Sequence, residues 1–368
     1  MRIVTVLGTR PEVIRLSLII QKLDRLAEEH TLVHTGQNFT PTLRDVFFAE
    51  LGLREPDYSL MRAEQSLGGQ LSVMFRELEA ILQEKRPDAV LVLGDTNSAL
   101  SAILAERMGI PVVHMEAGNR CYDNAVPEEK NRRVIDAISS YNLPYTPGSR
   151  ENLLREGVAP GRILLSGNPI FEVLTHYAER IAESPILGRL GLTPGDYFVA
   201  TLHRAENVDH PARLAEIVGG LNRVAADHGK RIVCSLHPRT KSRLAASSLT
   251  FHPLIELHEP FGFFDFVRLE QAAYCALTDS GTVQEECCLF RVPTVTIRRT
   301  TERPETVDCG SNAVSGLHAE RIGQAVRTMT SLPRAWSIPA GYEVPDVSDK
   351  VVKFISTCWQ GGLRNVYQ

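Results

Sequence analysis

The chain has 368 residues, of which 43% are hydrophobic and 23% charged, and its formal net charge at pH 7 is −4. These values are ordinary for a globular protein, and the length favours two domains. The sequence has neither a basic tail nor a stripe rich in lysine and arginine, which argues against a nucleic-acid or membrane-surface partner. No apolar run approaches the ~18 residues that predict a membrane-spanning helix.

The seven cysteines lie at positions 121, 234, 275, 287, 288, 309 and 358, and no two of them are spaced Cys-x-x-Cys. This pattern is typical of reduced thiols and predicts a cytoplasmic protein without a zinc site. Residues 1–7 lack the basic start of a signal peptide and are interpreted as a first buried strand. Cys121 could be a nucleophile, but its carboxylate neighbours would raise its pKa.

Apolar runs typical of strands alternate with amphipathic stretches typical of helices along the chain. We predict strands over residues 3–7, 31–35, 89–93, 112–115, 197–201, 231–236, 274–277 and 294–297. We predict helices over residues 11–29, 66–84, 211–227, 281–289 and 348–359. This alternation favours right-handed β-α-β units and parallel sheets. The number of strands favours two doubly wound domains over one barrel.

A domain boundary is expected after residues 163–169, close to the loop-forming stretch 185–194. Residues 1–170 are therefore assigned to an N-terminal Rossmann-like domain and residues 171–345 to a C-terminal one. The C-terminal segment 348–368 is expected to complete the N-terminal domain.

Two clusters of charged residues are the most informative feature of the sequence. They read HMEAGNR at residues 114–120 and PEEKNR at residues 127–132. The first cluster ends an apolar strand, so its charges lie at the carboxyl end of a parallel strand, where open α/β sheets bind ligands. The alternative interpretation is a buried ion-pair network that only holds two loops together.

Polar segments also follow other predicted strands of the first half. GTRPE occupies residues 8–12 and GDTNS occupies residues 94–98. Arg10 and Arg15 add positive charge near a helix start, which attracts anions. Asp95 is as well explained by a helix cap as by catalysis. Neither the Gly-x-Gly-x-x-Gly fingerprint nor a Walker lysine loop is present.

The second half carries a similar set of polar segments. His203 and His237 each follow a predicted strand, where an isolated histidine would more often be structural. Nucleotide contacts are predicted further along: phosphate at Ser280, Gly281 and Thr282, ribose hydroxyls at Glu286, and diphosphate at Arg303. The repeated position of such residues after strands, in both halves, favours a functional interpretation.

Taken in order, these segments resemble the non-hydrolysing UDP-N-acetylglucosamine 2-epimerases. The resemblance runs from residue 8 to about residue 303 and rests on GTRPE (8–12), HTGQ (34–37), GDT (94–96), HMEAG (114–118), PEExNR (127–132), DSGTxQEE (279–286) and TERPE (301–305). It implies a GT-B-like α/β fold of two doubly wound Rossmann-like domains, with UDP on the second domain and the hexose in the interdomain cleft. It also implies a homodimer.

Matching the motifs residue by residue implies roles for individual side chains. Asp95, Glu116 and Glu128 match the catalytic carboxylates of the family, and His203 matches its histidine near the diphosphate. The implied UDP contacts are Arg10, Ser280, Gly281, Glu286 and Arg303, with Phe266 beside the uracil. Without the resemblance, Phe266 would equally be a core residue. Arg15, the loop 36–38 and the segment 114–121 depart from the usual pattern and are similar to a subgroup that includes enzymes epimerising UDP-N-acetyl-6-deoxyhexoses.

The family's reaction is an elimination followed by a re-addition. A base removes the proton on carbon 2 while UDP leaves carbon 1, and UDP then adds back to the 2-acetamidoglycal as carbon 2 is reprotonated on its other face. Two faces need two proton-transfer groups, and the leaving diphosphate needs positive charge. No metal or redox cofactor is expected, since no residues show ligand spacing and the chemistry is redox-neutral.

Other functions stay open at this point. The hexose could be a 6-deoxy UDP-N-acetylhexosamine, and a hydrolysing epimerase would differ only in the fate of the glycal. A GT-B glycosyltransferase would share the nucleotide site but would need an acceptor. A non-catalytic sugar-nucleotide sensor would not need Asp95, Glu116 and Glu128 together.

Overall fold

The structure is a computed structural model that describes residues 1–37, 41–60 and 66–358. The chain divides into two compact units. The first unit comprises Met1–His176 together with the chain from Ala340 onwards, and the second comprises Tyr177–Pro339. Residues 359–368 of the expected C-terminal segment lie outside the described part of the chain.

The first unit is built on a six-stranded parallel sheet. Its strands are β1 (Arg2–Leu7), β2 (Glu29–His34), β3 (Tyr58–Ser59), β4 (Ala89–Leu93), β5 (Val112–Met115) and β6 (Tyr141–Leu143). They are arranged in the order β3-β2-β1-β4-β5-β6. The chain therefore reverses direction across the sheet between β1 and β4, and open sheets of this kind bind ligands at such a switch point.

Helices connect these strands. They are α1 (Arg10–Leu26), α2 (Pro41–Glu50), α3 (Leu67–Lys85), α4 (Ser101–Arg107), α5 (Pro127–Ile138), α6 (Pro147–Arg155) and α7 (Pro169–His176), with short 3₁₀ helices at Ser98–Leu100 and Pro160–Arg162. Helix α1 begins with a capping box in which Thr9 and Glu12 satisfy each other's backbone amides. The helix predicted to reach residue 29 ends at Leu26, because Glu29 already belongs to β2.

The second unit repeats this architecture. Its strands are β7 (Tyr197–Leu202), β8 (Arg231–Leu236), β9 (Ile255–His258), β10 (Cys275–Thr278), β11 (Thr294–Thr296) and β12 (Asn312–Val314). They form a parallel sheet of order β12-β11-β10-β7-β8-β9, so the switch point lies between β7 and β10. The inner strand β7 is buried at every position, as expected for a sheet covered on both faces.

The helices of the second unit cover both faces of its sheet. They are α8 (Ala178–Ala182), α9 (Ile186–Arg189), α10 (Ala205–Val208), α11 (Pro211–His228), α12 (Pro238–Ala245), α13 (Phe263–Gln271), α14 (Gly281–Phe290), α15 (Pro304–Asp308) and α16 (Ala319–Ser331). Separate apolar clusters lie on the two sides, one lined by α11 and α16 and the other by α13 and α14. Among the described residues, no helix has the length and apolar character to cross a membrane.

The last helix, α17 (Val347–Cys358), packs on α1 and α7 of the first unit. Lys22 donates hydrogen bonds to Ser348 Oγ at 2.6 Å and to Asp349 Oδ1 at 2.5 Å. Glu172 on α7 accepts a hydrogen bond from the Ser348 amide at 2.7 Å. Because α7 belongs to this cluster, the first unit extends to His176 and not only to residue 170.

All eight predicted strands are present, and they are the inner four of each sheet. The sequence did not predict β3, β6, β9 and β12, which are the edge strands. These edges have two to four residues and only partial burial, so they lack the apolar run that marks an inner strand.

Gly341, near the point where the chain re-enters the first unit, has to be a glycine for steric reasons. Gly341 has a φ of +94°, and a Cβ there would lie 2.2 Å from the Tyr145 carbonyl oxygen. We therefore expect Gly341→Ala to lower the free energy of unfolding by about 2–4 kcal/mol, measured by denaturant unfolding. Gly68→Ala on α3 is the matched control, because a Cβ at Gly68 meets nothing within 4 Å. Equal unfolding midpoints for the two variants would contradict the steric requirement for glycine at position 341.

Candidate functional site

One carboxylate joins the two loops at the switch point of the first sheet. Glu12 Oε2 accepts hydrogen bonds from the amides of Gly8 at 3.0 Å and Thr9 at 2.7 Å. Its Oε1 accepts one from Thr96 Oγ1 at 2.8 Å, in the loop after β4. Burial raises the pKa of Glu12 to about 7, although these hydrogen bonds act in the opposite direction. The start of α1, which carries Arg10, and the loop that carries Asp95 are thus fixed to each other through Glu12.

Glu116 lies directly after β5 and is only 6% exposed. Its φ of +64° is in the left-handed region, which costs a non-glycine residue about 1–2 kcal/mol. Its carboxylate forms a buried ion pair with Arg15, whose guanidinium lies 5.8 Å from the centre of the Tyr145 ring. A Cβ at Gly94 would lie 3.8 Å from Glu116 Oε1, so this carboxylate borders the loop that precedes Asp95.

Asp95 and α5 form a second ion-paired group. Asp95 is partly exposed and pairs with the buried Arg132, and the Asn131 side chain donates a hydrogen bond to the Asp95 carbonyl at 2.9 Å. Glu129 accepts a hydrogen bond from Arg132 at 3.1 Å. Glu128, in the first turn of the same helix, is half-buried. The first unit therefore brings Asp95 close to α5 through Arg132, a residue to which the sequence had assigned no role.

Cys121 lies beside this group, and its amide donates a hydrogen bond to Glu129 Oε2 at 2.9 Å. Burial raises the pKa of the Cys121 thiol, and the charge of Glu129 adds to the effect. The predicted direction of the shift is confirmed, with burial as its main cause. Because a thiol of this kind is a poor nucleophile, the geometry gives no support to nucleophilic catalysis at Cys121.

A buried network lies behind the carboxylates. His114 Nε2 donates to the Gly94 carbonyl at 2.8 Å, and its Nδ1 lies 3.0 Å from Asp136 Oδ1. Asp136 Oδ2 lies 2.7 Å from Arg120 Nη1. Burial alone would raise the pKa of Asp136, but His114 and Arg120 hold it below its usual value. The alternative interpretation of the first charged cluster, a buried network that holds loops, thus describes these three side chains.

In the second unit, a carboxylate again connects the two loops at the switch point. Asp279 follows β10, is fully buried, and accepts hydrogen bonds from the amides of His203 at 3.1 Å and Arg204 at 3.0 Å. The His203 ring, which follows β7, places Nδ1 3.1 Å from Asp279 Oδ1. Burial would raise the pKa of Asp279, but His203 and Arg204 hold it below its usual value. His203 is therefore a positioned histidine, with its ring Nδ1 facing a carboxylate.

The N-terminus of α14 lies next to Asp279. Ser280 caps the helix, and its hydroxyl is 2.9 Å from Thr282 Oγ1. A Cβ at Gly281 would lie 2.6 Å from Glu302 Oε1, so the Glu302 carboxylate approaches the helix start as closely as it does because residue 281 has no side chain. The same Cβ would lie 3.7 Å from Arg303 Nη2, which places that guanidinium beside the helix start.

The remaining predicted site residues lie on neighbouring elements. Arg303 is 4% exposed and pairs with Glu285 at 2.5 Å. Glu286, on the same helix as Glu285, is 4% exposed. His237 caps α12 and accepts a hydrogen bond from the Arg239 amide at 3.3 Å. The other two are Phe266, half-buried against the core on α13, and Arg10, whose guanidinium lies 5.5 Å from the centre of the Phe47 ring.

No group of three histidine, cysteine, aspartate or glutamate side chains suited to a metal ion occurs among residues 1–37, 41–60 and 66–358. The polar groups at both switch points are instead carboxylates, guanidiniums, a histidine and a helix start. Such groups are suited to binding an anionic organic ligand and to moving protons.

The family described as UDP-N-acetylglucosamine 2-epimerase matches residues 21–356. The chain belongs to this family of isomerases. The UDP-N-acetylglucosamine 2-epimerase of Methanocaldococcus jannaschii is 40% identical to this epimerase over 349 residues, covering 93% of this chain and 95% of the relative. The UDP-2,3-diacetamido-2,3-dideoxy-D-glucuronate 2-epimerase of Pseudomonas aeruginosa is 36% identical over 333 residues, covering 89% and 92%.

A solved structure is also similar to this epimerase. The crystal structure of the Methanocaldococcus jannaschii UDP-GlcNAc 2-epimerase in complex with UDP-GlcNAc and UDP matches with a TM-score of 0.92 and 38% identity, and the match covers 97% of this chain and 99% of that one. The resemblance inferred from the sequence motifs and the GT-B-like α/β fold class are both confirmed.

The raised pKa of Glu12 predicts a pH-dependent stability. The folded protein holds the Glu12 proton up to about pH 7, against an ordinary pKa of 4.5. Ionisation of Glu12 therefore destabilises the fold as the pH rises from about 4.5 to 7, by about 3 kcal/mol at about 1.4 kcal/mol per unit. Glu12→Gln cannot ionise, yet its amide can keep the hydrogen bonds to Gly8, Thr9 and Thr96.

We expect urea unfolding to show that the free energy of unfolding of Glu12→Gln, relative to that of the wild type, rises by about 2–3 kcal/mol between pH 4.5 and pH 8. Glu79→Gln, at an exposed position of α3, is the control and should show no such gain. A difference between Glu12→Gln and the wild type that stays constant with pH would rule out the ionisation of Glu12 as its cause.

Proposed function

We propose that this epimerase inverts carbon 2 of a UDP-N-acetylhexosamine, interconverting UDP-N-acetylglucosamine and UDP-N-acetylmannosamine. The observation that carries the proposal is the position of the candidate residues at both switch points. Carboxylates with arginine partners lie at the first switch point, and a histidine and a glycine-initiated helix lie at the second. The relative of known structure, crystallised with UDP-GlcNAc and UDP, supports the same substrate class.

In this proposal the second unit binds UDP. The start of α14 offers backbone amides and the positive end of a helix dipole to the diphosphate, with the hydroxyls of Ser280 and Thr282 beside them. The absence of a side chain at Gly281 lets phosphate oxygens approach the helix start. Arg303 would neutralise the diphosphate, and Glu286 would accept hydrogen bonds from the ribose hydroxyls.

The carboxylates of the first unit would move the proton on carbon 2. Glu116 forms an ion pair with Arg15, and Asp95 forms one with Arg132, so both carboxylates are held in place by a guanidinium. Glu128 supplies a third carboxylate in the first turn of α5. We propose that these three side chains provide the base for one face of the sugar and the acid for the other.

The proposed steps balance without any added reactant. The base takes the proton from carbon 2, the electron pair of that bond forms the carbon 1–carbon 2 double bond, and UDP leaves with the electrons of the carbon 1–oxygen bond. The UDP oxygen then adds back to carbon 1 while an acid protonates carbon 2 on the other face. Arg10, Arg15, Arg303 and His203 would stabilise the charge on the departing diphosphate, with Asp279 keeping the His203 ring in place.

For the identity of the hexose there is a second specific candidate. The Pseudomonas aeruginosa relative is named for a diacetamido-glucuronate sugar, so members of this family act on different hexoses. A 6-deoxy UDP-N-acetylhexosamine is therefore the second candidate substrate. A hydrolysing reaction and a glycosyl transfer are weaker candidates. A glycosyl transfer would not require the three carboxylates of the first unit. A homodimer and a cytoplasmic location are proposed from the resemblance and the cysteine pattern alone.

Proton NMR in deuterated water tests the reaction directly. With UDP-N-acetylglucosamine as the sole substrate, we expect deuterium at carbon 2 and accumulation of UDP-N-acetylmannosamine, because the returned proton comes from a carboxyl group in exchange with solvent. Exchange that occurs only with 6-deoxy UDP-sugars would support the second candidate. Release of free N-acetylmannosamine and UDP would instead indicate hydrolysis, and no exchange without an acceptor would indicate a transferase.

The carboxylates are tested by replacing each with its amide. Asp95→Asn and Glu116→Gln keep the shape of the side chain but cannot exchange a proton, so we expect turnover to fall at least ~10²-fold. Glu151→Gln, on the exposed face of α6, is the control and should retain full turnover. Turnover near the wild-type rate in either variant would remove that residue from the proposed mechanism.

A further inference from the structure

A cavity of about 560 Å³ lies in the second unit, beyond the carboxyl ends of β11 and β12. Its polar lining residues are Arg213, Glu216, Arg299, Ser315, His318 and Arg321. The residues proposed above to bind UDP are a different set. The volume falls in the range of small-molecule sites, about 300–1,000 Å³, and is larger than a single phosphate ion requires.

The charge of this cavity is positive. Three guanidiniums, those of Arg213, Arg299 and Arg321, are opposed by one carboxylate, that of Glu216. Arg213 is held in place by a hydrogen bond from its Nη1 to the Glu206 carbonyl at 2.7 Å. Within the described part of the chain, the guanidiniums of Arg299 and Arg321 have neither an ion-pair nor a hydrogen-bond partner. Two arginines at one cavity are therefore available to an incoming anion.

Two helices begin at the same cavity. Helix α11 has 18 residues and helix α16 has 13, and the first turns of both contribute lining residues. The positive ends of both helix dipoles add to the arginine charge. Glu216 Oε2 accepts a hydrogen bond from the Ala319 amide at 2.8 Å, so one carboxylate already occupies the start of α16. The cavity thus combines an excess of positive charge with a helix start that binds a carboxylate oxygen.

We propose that this cavity binds a small molecule that carries at least two phosphate charges, at a site separate from the proposed UDP site. The forked guanidiniums of Arg299 and Arg321 can each contact two phosphate oxygens, which a single charge of a carboxylate ligand would not fully use. Glu216 limits the affinity, because it repels an anion and already occupies the amide of Ala319. The protein therefore has a second phosphate-binding site, on the edge of the sheet formed by β11 and β12.

The test uses inorganic pyrophosphate as the probe, titrated calorimetrically into the full-length protein saturated with UDP. We expect one pyrophosphate to bind per chain under these conditions, and the double variant Arg299→Gln/Arg321→Gln to bind it at least about tenfold more weakly. The control is Arg155→Gln/Arg223→Gln, which changes the charge equally at side chains that are 71% and 43% exposed. It should match the wild type.

Glu216→Gln provides a change in the opposite direction. The amide oxygen can still accept the Ala319 hydrogen bond, but the negative charge is gone, so we expect pyrophosphate to bind several-fold more tightly. Absence of binding to the UDP-saturated wild type, or equal weakening in both arginine double variants, would overturn the proposal. If UDP itself does not bind, the same comparison without UDP tests this cavity independently of the proposed function.

Discussion

A buried carboxylate spanning the switch point of each sheet is the constraint on which the candidate residues depend. Glu12 connects the loop after β1 to Thr96 in the loop after β4, and Asp279 connects its own loop after β10 to His203 after β7. In both places the carboxylate oxygens satisfy backbone amides that folding removes from water, and leaving such groups unpaired would cost about 1–3 kcal/mol each. The loop conformations are therefore set by the fold, before any substrate binds, which is the condition for a preorganised site.

The two carboxylates have the same burial and opposite electrostatics. Burial raises the pKa of Glu12 to about 7, and the neutral amides and hydroxyls that contact it offset only part of this rise. Asp279 is equally buried, but His203 and Arg204 hold its pKa below the usual value. A carboxylate with such neighbours stays charged, and Asp279 Oδ1 lies 3.1 Å from the His203 ring Nδ1. Below about pH 7, the proposed leaving-group side of the reaction thus keeps a charged carboxylate, whereas Glu12 is mostly protonated.

The sequence predicted the parts of the fold that are buried on both faces. The inner strands contain continuous apolar runs, whereas an edge strand such as β3 has two residues and no such run. The sequence predicted Asp95, Glu116, Glu128 and His203 as site residues because they follow strands or lie in motifs. Their partners were not assigned, because pairing depends on tertiary packing. Asp95 follows β4, whereas its partner Arg132 lies on α5. In the same way, His114 on β5 pairs with Asp136 on α5. Segment HMEAGNR signalled charge at a strand end, but only the structure separates Glu116 from the network of His114 and Arg120.

Helix α17 belongs to the first unit but follows the second unit in the sequence, which affects the order of folding during synthesis. Lys22 on α1 donates hydrogen bonds to Ser348 and Asp349, so this partner of α1 is synthesised only after the whole of the second unit. The second unit is continuous from Tyr177 to Pro339 and is fully synthesised earlier. A nascent chain therefore holds a complete second unit beside a first unit whose α1 face is still uncovered. During that interval, exposed apolar surface on α1 is available to chaperones and to other nascent chains.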